Sequence, residues 1–88
     1  MKVEVRKSFE KDIEKIHNKK LAMQLSAVIQ ALENCTALTE IQHLKKMKAQ
    51  GNYYRIRIGG FRLGLKQEKD TLILLRLMDR KDIYTYFP

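Results

Sequence analysis

Apolar and polar positions alternate from Lys2 to Lys7, with Val3 and Val5 facing one way and Glu4 and Arg6 the other. That period of two predicts a half-exposed strand. The period then lengthens. Phe9, Ile13 and Ile16 fall at helical spacing and predict a first helix to about His17, with Ser8 placed as its N-cap. Asn18 interrupts the pattern, and Leu21, Leu25, Val28, Ile29 and Leu32 form one stripe of a second helix from about Lys20 to Asn34. The two segments read as a helical hairpin covering one face of a sheet.

Residues 35–50 read as a connector, with Thr39 capping a short turn around Ile41–Leu44, followed by the basic stretch Lys45–Lys48. Three strands follow. Tyr53–Ile58 alternates, Gly59-Gly60 is a two-residue hairpin turn signal, and Phe61–Lys66 alternates again. A polar turn at Gln67–Asp70 leads into Thr71–Leu77, whose nearly unbroken apolar run predicts a central strand covered on both faces. Arg80–Phe87 is a short helix or an extended tail, closed by Pro88. The order β-α-α-β-β-β with a C-terminal appendage is an α+β arrangement, and 88 residues suffice for one domain, 1–88. A chain of this size has little room for an internal pocket, so a site is expected in a surface groove.

Several chemistries drop out on composition. Cys35 is the only cysteine, and with His17 and His43 as the only histidines no four-ligand zinc set is available. No metal or other cofactor is expected, and neither is an internal disulfide. No run is long and apolar enough to span a bilayer or serve as an export signal, so the expected setting is the cytoplasm, with no membrane partner. Charge is more informative. Lys and Arg number 18 against 10 Asp and Glu, a net +8. Residues 1–40 hold seven basic and six acidic side chains, whereas residues 41–88 hold eleven basic and four acidic. A self-repelling C-terminal half points to a polyanionic partner.

The glycine turn sets a register. A two-residue loop puts Ile58 opposite Phe61, Arg57 opposite Arg62, Ile56 opposite Leu63 and Arg55 opposite Gly64. Tyr54, Ile56, Ile58, Phe61, Leu63 and Leu65 then face the core, while Arg55, Arg57, Arg62 and Lys66 share the other face. Directly opposed arginines cost tenths of a kcal/mol to about 1 kcal/mol, an arrangement folding does not ask for and phosphate binding does. Gly64 is read as leaving that face open to a nucleotide. Arg80, Lys81, Asp82 and Tyr84 follow the central strand closely enough to fold back beside this face, Tyr84 to stack on a base or move a proton and Phe87 to pack in the core. Arg76, inside the apolar strand, is expected to pair with an acidic residue.

These same residues resemble RelE-type toxins of the RelE/ParE superfamily. The stretch Tyr54-Arg55-Ile56-Arg57-Ile58-Gly59-Gly60-Phe61-Arg62-Leu63-Gly64 is similar to the family's basic strand pair and glycine turn. Thr71-Leu72-Ile73-Leu74-Leu75-Arg76 matches its apolar strand, and Arg80-Lys81-Asp82-Ile83-Tyr84 its Arg-x-x-(Ile/Val)-Tyr tail. With the helical hairpin, the resemblance covers nearly the whole chain.

The resemblance implies a twisted antiparallel sheet flanked by helices and the toxin of a type II toxin–antitoxin module. It also implies cleavage of mRNA in the ribosomal A site by attack of a ribose 2′-OH on the adjacent phosphate. By position, Arg55 and Arg57 would hold phosphates, Arg62 the transition-state charge and Arg80 the leaving 5′-oxygen, with Tyr84 stacking on or orienting the nucleotide. Lys45, Lys46, Lys48, Lys66 and Lys81 are candidate RNA contacts. The implied partners are the ribosome with its mRNA and a cognate antitoxin laying acidic and apolar segments over the groove, with operator DNA reached only through that antitoxin. Asp79 stands where many relatives have His, so no imidazole is expected as the general base, and Asp79 becomes the candidate proton acceptor. Two other readings stay open: a ParE-like toxin that poisons DNA gyrase, and a weakly catalytic member that acts only by binding a partner.

Overall fold

The structure, a computed structural model, describes residues 1–48 and 51–88. Strand β1 (Lys2–Val5) leads into helices α1 (Lys7–Glu14) and α2 (Lys19–Asn34) and a 3₁₀ turn (Leu38–Glu40). Strands β2 (Leu44–Lys46), β3 (Tyr53–Ile58), β4 (Phe61–Glu68) and β5 (Thr71–Asp79) follow, then helix α3 (Ile83–Tyr86). The strands form one sheet in the order β1-β5-β4-β3-β2. This is the expected α+β arrangement, with two differences in the sheet. First, β1 lies parallel to β5, pairing from Lys2↔Thr71 to Val5↔Leu74, so the sheet is mixed. No short turn joins these two strands, so nothing local sets their direction. Second, Leu44–Lys46 pairs antiparallel with β3 as an edge strand inside the expected connector 35–50, whose last two residues lie outside the described ones.

One apolar layer joins helices and sheet. Phe9 of α1 and Leu21, Leu25 and Leu32 of α2 pack with Ile56, Ile58, Leu63, Leu65, Leu72, Leu74 and Leu77, all buried. Ile73, Ile83 and Phe87 are buried apart from this cluster. Thus β5 is covered on both sides, as its unbroken apolar run predicts.

The caps differ from those predicted. Helix α1 starts at Lys7, and Ser8 instead donates from Oγ to the Leu75 carbonyl at 2.6 Å. Asn18, a break in the pattern, is the N-cap of α2, its Oδ1 accepting the Leu21 N–H at 3.0 Å. Thr39 caps nothing, because the Glu40 carboxylate already accepts from the Thr36 hydroxyl and the Thr36 and Ala37 N–H groups. Those bonds, the Thr36 hydroxyl first, hold the Glu40 carboxyl below its usual range. What they add to the turn is present at neutral pH and fades as acid protonates the group.

β1 runs beside β5 only as far as Leu74, and α1 then takes over that edge. The Arg6 N–H donates to Leu74 O, Ser8 to Leu75 O, and the Asp12 carboxylate accepts the Leu77 N–H at 2.9 Å. Asp12 also receives Arg76 through Nε at 2.8 Å and Nη2 at 3.1 Å, the acidic partner Arg76 was expected to need. That two-pronged bond holds the Arg76 guanidinium above its already high ordinary pKa. Removing Asp12 leaves a half-buried cation and a backbone N–H without partners. Asp12→Ala should lower unfolding stability by about 1–3 kcal/mol, measured by urea denaturation. A loss under a few tenths of a kcal/mol would show that the pair closes nothing.

Candidate functional site

The β3–β4 ladder has the register the glycine turn predicts: Ile58↔Phe61, Arg57↔Arg62, Ile56↔Leu63 and Arg55↔Gly64. Gly59 has φ +58° and Gly60 does not have a positive φ, the pattern of a turn that needs glycine only at its first central position. Since side chains alternate across a strand, burying Ile56, Ile58, Leu63 and Leu65 sends Arg55, Arg57 and Arg62 to the other face. Strand β2 extends this face and places Lys45 directly opposite Arg55. Like charges therefore oppose each other twice, on neighbouring strand pairs.

The tail supplies the remaining wall. Ile83 and Phe87 are buried, which turns Tyr84 outward, 61% exposed. The Arg55 guanidinium carbon lies 4.6 Å from the centre of the Tyr84 ring, a cation–π contact. His43, Lys45, Arg55, Arg57, Arg62 and Tyr84 together line a groove of about 260 Å³. Four of these six are cationic and none is a carboxylate.

Each guanidinium rests on a neutral partner. Arg57 Nη2 lies 3.0 Å from His43 Nδ1, and Arg62 Nη1 donates to the Gly59 and Phe61 carbonyls at 3.0 and 2.9 Å. Among the described residues, no ion pair involves Arg55, Arg57 or Arg62. Neutral acceptors leave the fork charge uncompensated and free to meet an anion. No group of three or more His, Cys, Asp or Glu among the described residues is placed to hold a metal.

Comparison with known proteins supplies the family. The sequence profile described as "ParE toxin of type II toxin-antitoxin system, parDE" matches residues 3–84. Toxin RelE3 of Methanocaldococcus jannaschii is 38% identical over 89 residues, covering 100% of both chains. This chain belongs to the ParE toxin family of type II toxin–antitoxin systems. A chain of the RelB-RelE antitoxin-toxin complex from Methanococcus jannaschii matches the structure with TM-score 0.82 at 34% identity, covering 97% of this chain and 99% of that one. The archaeal RelE-RelB complex from Pyrococcus horikoshii OT3 shares the fold, with TM-score 0.71 at 20% identity and coverage of 90% and 93%.

The toxin's groove holds some of the expected residues and not others. Arg55, Arg57, Arg62, Tyr84 and Lys45 meet there. Lys46 and Lys48 border an adjoining hollow of about 550 Å³ on the other side of the Arg55–Tyr84 contact. Lys66 is instead tied to Glu68 at 2.9 Å, a bond that holds the Glu68 carboxyl below its usual range. Arg80 and Lys81 are exposed in the β5–α3 turn and do not border the groove. The Arg80 N–H donates to Gly60 O. The Asp79 carboxylate accepts the Lys81 N–H at 2.9 Å and does not border the groove either, so it is a turn cap badly placed to take a substrate proton. His43, which no motif singles out, does border it. The clue would have been β2: once Leu44 pairs with Ile56, His43 must lie beside Arg57.

Gly64 also has a different role from the open approach predicted for it. A Cβ there would sit 2.8 Å from the Phe87 ring, so the space above Gly64 belongs to the toxin's own tail. The Phe87 ring also meets Tyr53 edge-on, centroids 5.8 Å apart. Gly64→Ala should push Phe87 out, cost about 1–3 kcal/mol and carry Tyr84 away from Arg55. Thermal melting and the Tyr84 ring resonances report both effects. Unchanged Tyr84 shifts would show that the tail is not anchored there.

Proposed function

We propose that this toxin is a ribosome-dependent endoribonuclease, a single RelE-like domain cutting mRNA in the cytoplasm by attack of a ribose 2′-OH on the adjacent phosphate. The observation that carries the reading is the groove: Arg55, Arg57 and Arg62 converge with Tyr84 and Lys45, and no carboxylate neutralises them. Arg55 and Arg57 hold the phosphates. Arg62 leaves its two carbonyl acceptors to stabilise the charge that grows on the phosphorane oxygens. Tyr84, already under a guanidinium, offers its exposed ring to a base. Arg80 is left to contacts outside this groove.

The shallowness of the site explains the need for a ribosome. A groove of about 260 Å³, open to solvent, holds a phosphate and part of a nucleotide but has no pocket to orient a flexible strand. A message already fixed in the decoding site brings that order with it. A relative at 34% identity was solved as an antitoxin–toxin complex, and the chemistry of this surface suits a cognate antitoxin. An apolar slot lined by Ala27, Val28, Ala31, Ile41 and Ile56 adjoins the groove at His43 and Arg57, so a segment both acidic and apolar would fit across the two. Operator DNA would be reached only through that antitoxin.

The match to the ParE profile favours a second reading, inhibition of DNA gyrase without RNA chemistry. Expression of the toxin with mapping of mRNA 5′ ends separates the two. The ribonuclease reading expects growth arrest with cuts at codon positions in translated message and none in naked RNA. Arg62→Ala should abolish the arrest and slow cleavage by about 10²–10³-fold while the fold is retained. Filamentation with DNA damage and intact mRNA would establish the gyrase reading instead.

A further inference from the structure

His43 borders the groove from the turn just before β2, and nothing in the proposed cleavage so far uses it. Three observations set it apart. Its φ of +63° is left-handed, uncommon for a residue with a side chain, and such conformations cluster at functional sites. It is exposed, so packing does not require the ring there. Arg57 Nη2 lies 3.0 Å from its Nδ1, and because guanidinium only donates, Nδ1 must carry the lone pair.

Cleavage by a 2′-OH needs a group to accept the hydroxyl proton, and the groove offers few. Guanidinium does not deprotonate in proteins. Lys45 is an ammonium, with three donors and no acceptor, and Tyr84 already lies against the Arg55 guanidinium. Imidazole alone among the lining side chains changes charge near neutrality. We infer that His43 is the proton acceptor of the cleavage step, uncovered when the substrate phosphate draws Arg57 away. This rests on the ribonuclease reading and deepens it.

Arg57 turns onto the phosphate and its N–H leaves Nδ1. The lone pair takes the ribose 2′-OH proton while the O2′–P bond forms. The P–O5′ bond breaks and the departing 5′-oxygen takes a proton from water. The products are a 2′,3′-cyclic phosphate and a 5′-hydroxyl, and the imidazolium returns its proton to solvent. With no substrate bound, Arg57 keeps the base covered.

The charged and titratable groups around His43 are Lys45 on β2, Arg55 and Arg57 on β3, Arg62 on β4 and Tyr84 on α3. Glu40, on the slot that His43 shares with α2, is already engaged by Thr36 and Ala37. Protonation of the ring at low pH removes the lone pair, so the rate should fall as pH falls.

The test is single-turnover cleavage of a defined mRNA on programmed ribosomes, at saturating toxin, from pH 5.5 to 8.5. His43→Asn is the decisive variant. Asn tolerates a left-handed backbone, and its amide oxygen can still accept the Arg57 N–H, but it cannot take a proton. The wild-type rate should fall as the pH is lowered. His43→Asn should be about 10²–10⁴-fold slower, with ribosome affinity within threefold, an unchanged thermal midpoint and no acid limb. Recovery of near wild-type cleavage in His43→Asn would overturn the inference, by showing that the ring only anchors Arg57. So would a wild-type rate with no acid limb, whatever the variant does. Cleavage by the wild type at no pH would sink the ribonuclease reading, and the inference with it.

Discussion

The β3–β4 hairpin turns on Gly59, and the register it sets leaves no freedom over where Arg57 and Arg62 point. A one-residue slip would bury both arginines and expose Ile56 and Leu63, the latter fully buried. Magnitudes decide the outcome. Each buried Ile or Leu contributes about 1.5–3 kcal/mol, whereas each opposed like-charge pair costs no more than about 1 kcal/mol. Four core residues on one face therefore hold the cations together on the other. The positive groove is a consequence of the hydrophobic register, imposed against its own repulsion.

The rest of the molecule steadies that face from its edges. Helix α1 closes the edge of β5 beyond Leu74, with Asp12 serving both Arg76 and the Leu77 N–H. On the site side, the ring of Phe87 sits over Gly64 and brings α3 down so that Tyr84 meets Arg55. The three groove guanidiniums rest on an aromatic face, an imidazole and two carbonyls. None of these partners neutralises charge, so a phosphate would compete with weak hosts. A carboxylate partner, as at Arg76, would instead hold its cation in place.

Much of this was legible in the residues because the signals were local. Alternation, a Gly-Gly turn and helical spacing are short-range patterns, and they located β3, β4, β5 and the helical hairpin, down to the Arg57↔Arg62 pairing. What was not legible depends on partners far along the chain. Leu44–Lys46 is too short and too charged to read as a strand until β3 pairs with it. With that strand unseen, His43 had no place in the groove. Gly64 looked like an opening for substrate because nothing in the sequence says that Phe87 returns to fill it. Ser8, expected to cap α1, bonds to the edge of β5, and Asp79, expected to accept a substrate proton, caps the β5–α3 turn.

The central claim is that one concave cationic face, built by the hairpin register, receives the message. It is tested most directly by a cryo-electron microscopy structure of the toxin on a ribosome programmed with 2′-O-methylated, and so uncleavable, mRNA. The account predicts the phosphate next to the blocked hydroxyl within hydrogen-bonding distance of Arg57 and Arg62, with a base against Tyr84. Message lying instead along the lysines of α1 and α2, with Arg57 still on His43 and Arg62 still on its turn carbonyls, would contradict it.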